Sequence, residues 1–129
     1  MNTFESRLPH VLVIEDDPEI QRMLSVLCWS KAHLAQAFTL KQAANILEWW
    51  LPIKYDLIAV DWKLPDWTTS NLVSDLKTRC VREIISIAWD PDVARDHIGM
   101  WCEIVSKPLF PEYLINFFNR WKNLSQSAH

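Results

Sequence analysis

The 129-residue chain contains a single glycine, Gly99. No glycine-rich phosphate loop can be written with one glycine, so both the dinucleotide fingerprint and the P-loop are excluded. Cysteine is sparse as well: Cys28, Cys80 and Cys102 are odd in number, far apart and without a C-x-x-C pair. That pattern speaks against structural zinc and a disulfide framework and for small buried thiols. No apolar run approaches the roughly 20 residues of a membrane span. The opening Met-Asn-Thr-Phe-Glu-Ser-Arg lacks the apolar centre of a signal peptide. A basic excess is missing too, since 13 Lys and Arg stand against 16 Asp and Glu for a formal charge of −3. The expectation is a cytoplasmic protein with no direct nucleic-acid binding and no membrane binding. Tryptophan is what the chain has in plenty, eight residues in all, and half of its residues are apolar. A chain of this size forms one domain and buries roughly two-thirds of its unfolded surface.

Strand-like apolar runs alternate with helix-periodic segments. Val11-Leu-Val-Ile14 stops at Glu15-Asp16-Asp17, and Asp17-Pro18 offers an N-cap followed by proline in the first turn. Ile20, Met23, Leu24, Leu27 and Cys28 then recur as one helical stripe. A weak strand spans Leu34 to Phe38, and Thr39-Leu-Lys-Gln42 reads as a capping box for a helix carrying Leu40, Ala43, Leu47 and Trp50, ended by Pro52. Asp56 to Val60 is a second apolar strand running into Asp61. A loop with Pro65 follows, then Leu72, Val73, Leu76 and Cys80 at helical spacing, and a strand from Ile84 to Ala88. Asp90-Pro91 repeats the helix start of residues 17–18, with a short helix to about Ile98 and a strand from about Cys102 to Val105 closed by Lys107-Pro108. The final helix, from about Phe110 to Trp121, buries Leu114, Phe118 and Trp121. Five β-α units without a repeat or linker imply a parallel sheet covered on both faces, with its ligand crevice at the carboxyl ends of the strands.

Glu15, Asp16, Asp61 and Lys107 stand at those ends. Three carboxylates packed together repel one another unless a cation is present. Mg²⁺ suits them, because it takes one or two protein carboxylates, keeps waters and shares its remaining sites with a phosphate. Asp61 can then act as a nucleophile on phosphorus, with Lys107 placing an ammonium against a phosphoryl oxygen. Acids after a strand are often only caps, which is the expectation for Asp17 and Asp90, but four suitable residues at separate strand ends form a joint pattern.

The sequence resembles the receiver domain of two-component response regulators. The resemblance rests on Val-Leu-Val-Ile-Glu15-Asp16-Asp17, Tyr-Asp-Leu-Ile-Ala-Val-Asp61-Trp-Lys-Leu-Pro65 and Val-Ser-Lys107-Pro108-Leu. It implies a flavodoxin-like, doubly wound (βα)5 α/β fold with a five-stranded parallel sheet in order 2-1-3-4-5. Residues 1–129 would form a single receiver domain with its core at about 9–122. Glu15 and Asp16 then match the metal-binding acidic pair, Asp61 the phosphoacceptor, Lys107 the phosphate contact, and Lys63 the residue lending a backbone carbonyl to Mg²⁺ or Mn²⁺. The implied phosphodonor is a sensor histidine kinase or phosphotransfer protein. No enzyme activity is implied beyond self-phosphorylation and autodephosphorylation. Output would pass through protein contacts, with a homodimer or output partner on the last-helix face.

The chain departs from that pattern at the positions concerned with switching. Ala88 stands where a Thr or Ser is usual, with Ser86 two residues earlier, Ile104 replaces the switch aromatic, and Thr69 occupies the usual glycine position. These departures support an alternative, a pseudo-receiver acting as a phosphorylation-independent interaction module. A third reading, an aspartyl-nucleophile phosphatase, needs an acid two residues after Asp61, where Lys63 stands. Trp62, Trp67 and Trp89 are expected around Asp61, where they would exclude water or receive a partner's anchor. Trp29, Trp50 and Trp121 are expected in the core, and Trp101 near the partner face. His10, His33, His97 and His129 have no ligand spacing and are expected apart, at the surface or at loop edges.

Overall fold

A computed structural model describes residues 7–49, 53–63, 76, 80–98 and 102–127. Five strands, β1 (His10–Ile14), β2 (His33–Ala37), β3 (Tyr55–Asp61), β4 (Cys80–Ala88) and β5 (Glu103–Ser106), form one parallel sheet in the order β2-β1-β3-β4-β5. The helices are α1 (Pro18–Leu27), α2 (Leu40–Trp49), α3 (Pro91–Ile98) and α4 (Phe110–Ser127), with a 3₁₀ turn at Lys107–Leu109. Leu76 is also helical and fully buried, between β3 and β4. Pro52, Pro65, Thr69, Leu72, Val73, Gly99 and the tryptophans Trp50, Trp67 and Trp101 lie outside the described residues.

The central strands are apolar on both sides because both sides are covered. Val11, Val13, Leu57, Ala59, Ile85 and Ile87 face Leu24 of α1 with Cys28 at its C-cap, and Phe110, Leu114, Phe117, Phe118 and Trp121 of α4. Leu12, Ile14, Ile58 and Val60 face Leu40, Ala43 and Leu47 of α2, together with Leu76. This arrangement matches the doubly wound sheet expected from alternating strands and helices. Both Asp-Pro helix starts are capped as expected: Asp17 Oδ1 accepts from the Glu19 amide at 2.9 Å, and Asp90 Oδ1 from the Val93 amide at 3.2 Å. At α2, Thr39 Oγ1 accepts from the Gln42 amide at 3.0 Å, while Gln42 Oε1 accepts from the amide of Phe38 at 2.7 Å.

Four sequence expectations need correction. Trp29 is 79 % exposed, because it follows the last turn of α1 instead of extending its buried stripe. That stripe itself runs through Gln21, Leu24 and Cys28, leaving Met23 exposed. Cys80 begins β4 and pairs with Tyr55, so the strand starts four residues before Ile84. The charged Arg82 and Glu83 hid this extension, and Arg82 is there to reach Asp56, 3.7 Å away. Finally, His10 and His33 are cross-strand partners whose rings stack at 4.7 Å. Chain pairing, not spacing, brings them together, and burial and the charges of His33 and Arg7 hold the His10 imidazole below its ordinary pKa.

Glycine's scarcity leaves a mark after α1. Ser30 takes φ 60°, a left-handed conformation that costs a residue with Cβ about 1–2 kcal/mol. At the amino ends of the strands, buried Asp56 accepts from both Arg7 guanidinium nitrogens (2.9 and 3.3 Å) and from the His10 amide (2.9 Å). Arg7 and Arg82 also lie over the Trp121 ring, 4.8 and 5.0 Å from its centroid.

Candidate functional site

The opposite, carboxyl edge of the sheet carries the acids. β1 delivers Glu15 inward, fully buried, and Asp16 outward, exposed, since successive side chains of an extended chain alternate. β3 ends on Asp61, which is 2 % exposed. The 3₁₀ turn after β5 brings in Lys107, whose Nζ lies 2.8 Å from Glu15 Oε1 and 3.3 Å from Asp61 Oδ2. The Lys63 amide donates to Asp61 Oδ1 at 3.1 Å. Glu15, Asp16 and Asp61 each offer a carboxylate oxygen, all within 4.8 Å of one another. All the residues proposed from sequence for this chemistry therefore meet at one place.

Charge there is unbalanced, with three carboxylates facing one ammonium. Burial is the main reason that the Glu15 carboxyl is pushed up to about 8, and a hydrogen bond to Asp61 from its protonated form adds to the rise. Asp61 is held below its ordinary value despite burial, because Glu15, the Lys63 amide and Lys107 all favour its charged form. Lys107 is raised by the same two carboxylates against the effect of burial. A hard divalent cation fits this donor set: oxygen ligands only, excess negative charge, and one ligand, Asp16, open to water. Glu15, Asp16 and Asp61 would hold it.

A cavity of about 200 Å³ opens beside Asp61, lined by Trp62, Lys63, Trp89, Asp90, Val93 and Lys107. Of the three tryptophans expected there, Trp62 and Trp89 are present. Lys63 Nζ lies 5.4 Å from the Trp62 ring and Lys107 Nζ 5.6 Å from the Trp89 ring, both within cation–π range. At the positions concerned with switching, β4 and β5 pair Ser86 with Ile104 and Ala88 with Ser106, and Asp61 stands opposite Ile87. Fully buried Ala88 thus lies at the strand end. Ser86 lies two residues back, beside Val60, with its Oγ buried and without a hydrogen-bond partner among the described residues.

Sequence reasoning missed Gln21. Its Nε2 faces three carbonyl oxygens, those of Val13 (3.3 Å), Glu15 (3.1 Å) and Ala37 (3.0 Å), and its Oε1 accepts from Gln36 at 2.7 Å. The amide ties the end of β1, and with it the backbone of Glu15, to β2 and α1. The available signal was a polar residue inside the α1 stripe, three before Leu24 and seven before Cys28. Gln21→Leu strips these buried carbonyls of their shared side-chain donor, leaving Ala37 O only its bond from the Glu15 amide, a loss of about 1–3 kcal/mol. Chemical denaturation is expected to show it, with Mg²⁺ affinity falling alongside.

No family model matches the sequence. Solved structures do. The signal receiver domain of an HD domain-containing protein from Pseudomonas fluorescens Pf-5 superposes with a TM-score of 0.67 over 94 % of this chain and 99 % of that one, at 19 % identity. A CheY-like response regulator receiver domain from Methanospirillum hungatei JF-1 does so at 0.65, over 95 % and 100 %, also at 19 % identity. The fold is that of a receiver domain. In sequence, the transcriptional regulatory protein AruR of Pseudomonas aeruginosa is 32 % identical over 91 % of this chain. The chain spans about half (49 %) the length of that relative. Within the receiver fold, Asp61 stands at the end of the central strand with the acids of β1 on one side and Lys107 on the other. Among the described residues no helix is long and apolar enough to cross a membrane.

Proposed function

We propose that this chain is a phosphoacceptor receiver of a two-component or phosphorelay system, a single domain over residues 1–129 that works in the cytoplasm. The observation that carries the reading is the convergence of Asp61, Lys107, Glu15 and Asp16 at the carboxyl edge of the sheet. An Asp61 carboxylate oxygen attacks the phosphorus of a phosphohistidine on a sensor kinase or phosphotransfer protein. The P–O bond forms as the P–N bond breaks, and the donor imidazole leaves with the electron pair. Lys107, freed from its carboxylate partners, contacts a phosphoryl oxygen. Glu15, Asp16, Asp61 and the Lys63 carbonyl would hold Mg²⁺ or Mn²⁺, which when bound would supply charge neutralisation for the transferring group. Trp62 and Trp89 limit water at the acyl phosphate. Labelling is stoichiometric, so no substrate turns over. Output passes through protein contacts, with the last-helix face as the surface for a homodimer or output partner.

The test is intact mass after exposure to a small phosphodonor such as phosphoramidate. One added phosphoryl group is expected with Mg²⁺, and none after chelation or in Asp61→Asn. Equal labelling of Asp61→Asn overturns the assignment. Ala88, fully buried without a hydroxyl, and Ile104 favour a second reading, in which docking does not depend on phosphorylation. Beryllofluoride with Mg²⁺ separates the two, since amide shifts confined to the pocket support constitutive docking and shifts spreading widely beyond it support a switch.

A further inference from the structure

Strand β2 lies at the edge of the sheet, with β1 as its strand neighbour. Edge strands are normally protected by lysine, proline or a bulge, and β2, His33-Leu-Ala-Gln-Ala37, has none of them. In a parallel pair, alternate residues direct both main-chain groups to the same neighbour. The His33 amide donates to Pro9 O and the Glu15 amide to Ala37 O, each at 2.9 Å. His33, Ala35 and Ala37 therefore face β1, and the N–H and C=O of Leu34 and Gln36 face outward. The Gln36 side chain is drawn off the edge onto α1, donating to Gln21 O and Oε1 at 2.7 Å and accepting from Ser25 Oγ at 3.1 Å.

We infer that the β2 edge pairs with the β2 edge of a second copy of this chain, antiparallel about a two-fold axis through Ala35. The outward groups suit this occupant. Leu34 and Gln36 flank Ala35 symmetrically, so a dyad at Ala35 sets Leu34 of each copy against Gln36 of the other. All four outward N–H groups and all four carbonyls then find partners, and the isologous contact closes at two subunits. Ala35, at the close-approach pair, carries the smallest side chain that still packs. His33 of each copy opposes Ala37, so no like charges meet, and the strand offers no charge that would select an acidic or basic peptide instead. The dyad runs perpendicular to the sheet and brings both α1 helices to one face. There exposed Trp29 lines a groove of about 420 Å³ with Leu34 and Gln36 and covers the junction; Val26, 75 % exposed, lies one turn earlier. An exposed indole of this kind supplies about 150–250 Å² of burial. The pairing needs neither metal nor phosphoryl group.

Sedimentation equilibrium on the metal-free protein from 1 µM to 1 mM is expected to show a shift from monomer to dimer. Hydrogen exchange at the Leu34 and Gln36 amides is expected to slow at least tenfold across that range, with the rest of β2 unchanged. Leu34→Pro removes an outward donor and leaves the β1 ladder intact, and Trp29→Lys charges the junction. Each is expected to weaken dimerisation at least tenfold. A monomer at every concentration overturns the inference, as does a dimer whose Leu34 and Gln36 amides exchange at the same rate at both extremes. Should Leu34→Pro misfold, the exchange measurement on the unaltered protein still decides.

Discussion

Raising the pH from 5 to 9 is expected to destabilise the metal-free protein and to tighten its hold on Mg²⁺. Both effects come from Glu15. Its carboxyl, pushed up to about 8 by burial and by sharing a proton with Asp61, keeps in the folded state a proton that the unfolded chain releases near the ordinary value of 4.5. The stability linked to that proton is complete below about pH 4.5 and is lost as the pH rises through 8. A displacement of this size corresponds to an effect on the order of 5 kcal/mol. Cation binding at the three acids requires the same proton to leave. Mg²⁺ affinity should therefore rise by up to tenfold per pH unit between 6 and 8 and level off above. Thermal melts with and without Mg²⁺ at pH 5, 7 and 9 check both: the metal-induced rise in Tm is expected to be largest at pH 9. Glu15→Gln removes the titrating group, so its metal-free Tm should lack the decline between pH 5 and 8. A wild-type protein with flat stability over that range would show that Glu15 is ionised throughout.

Replacing Lys107 with methionine is expected to give the largest loss of any single substitution at the site. The side chain is 8 % exposed and lies 2.8 and 3.3 Å from two buried carboxylates. Without it, Asp61 and Glu15 face each other with no positive charge between them, and breaking a buried pair by removing one partner costs about 3–5 kcal/mol. Proton uptake by Glu15 relieves part of that cost, so the loss should be smallest at pH 5 and largest at pH 9. Denaturant titrations at the two pH values measure it. Mg²⁺ should recover much of the stability of Lys107→Met by replacing the missing charge, while phosphodonor labelling falls at least tenfold because the phosphoryl oxygen loses its contact. Stability equal to wild type at pH 9 without metal would show that the ion pairs contribute nothing measurable.

Much of the site was legible in the order of residues. Val11–Ile14 and Leu57–Val60 could be read as buried parallel strands because they are apolar without alternation, and a strand's carboxyl end is where a doubly wound sheet places its chemistry. That reasoning reached Glu15, Asp16, Asp61 and Lys107, and the Asp-Pro pairs at residues 17 and 90 announced their helices through local capping alone. These features act within a few residues, so a linear pattern carries them.

Other properties depended on neighbours far along the chain. Glu15 and Asp16 are chemically similar and adjacent in sequence, yet one is fully buried against Lys107 and the other is in water. Strand direction at the end of β1 and the arrival of β5 make that difference, and with it the displaced carboxyl. Gln21 reads as an interruption of a helical stripe until three carbonyls from β1 and β2 converge on it. Trp29 directly follows an apolar helical stripe, yet it lies past the end of α1, off the buried side, and faces water. His10 and His33 meet only because β1 and β2 pair in register. The sequence by itself determined the alternating elements, the caps and the set of reactive residues, since these follow from local propensity and periodicity. Tertiary structure alone decided which carboxylate holds a proton and which tryptophans face water. Each of these depends on burial and charge contributed by residues distant in the chain.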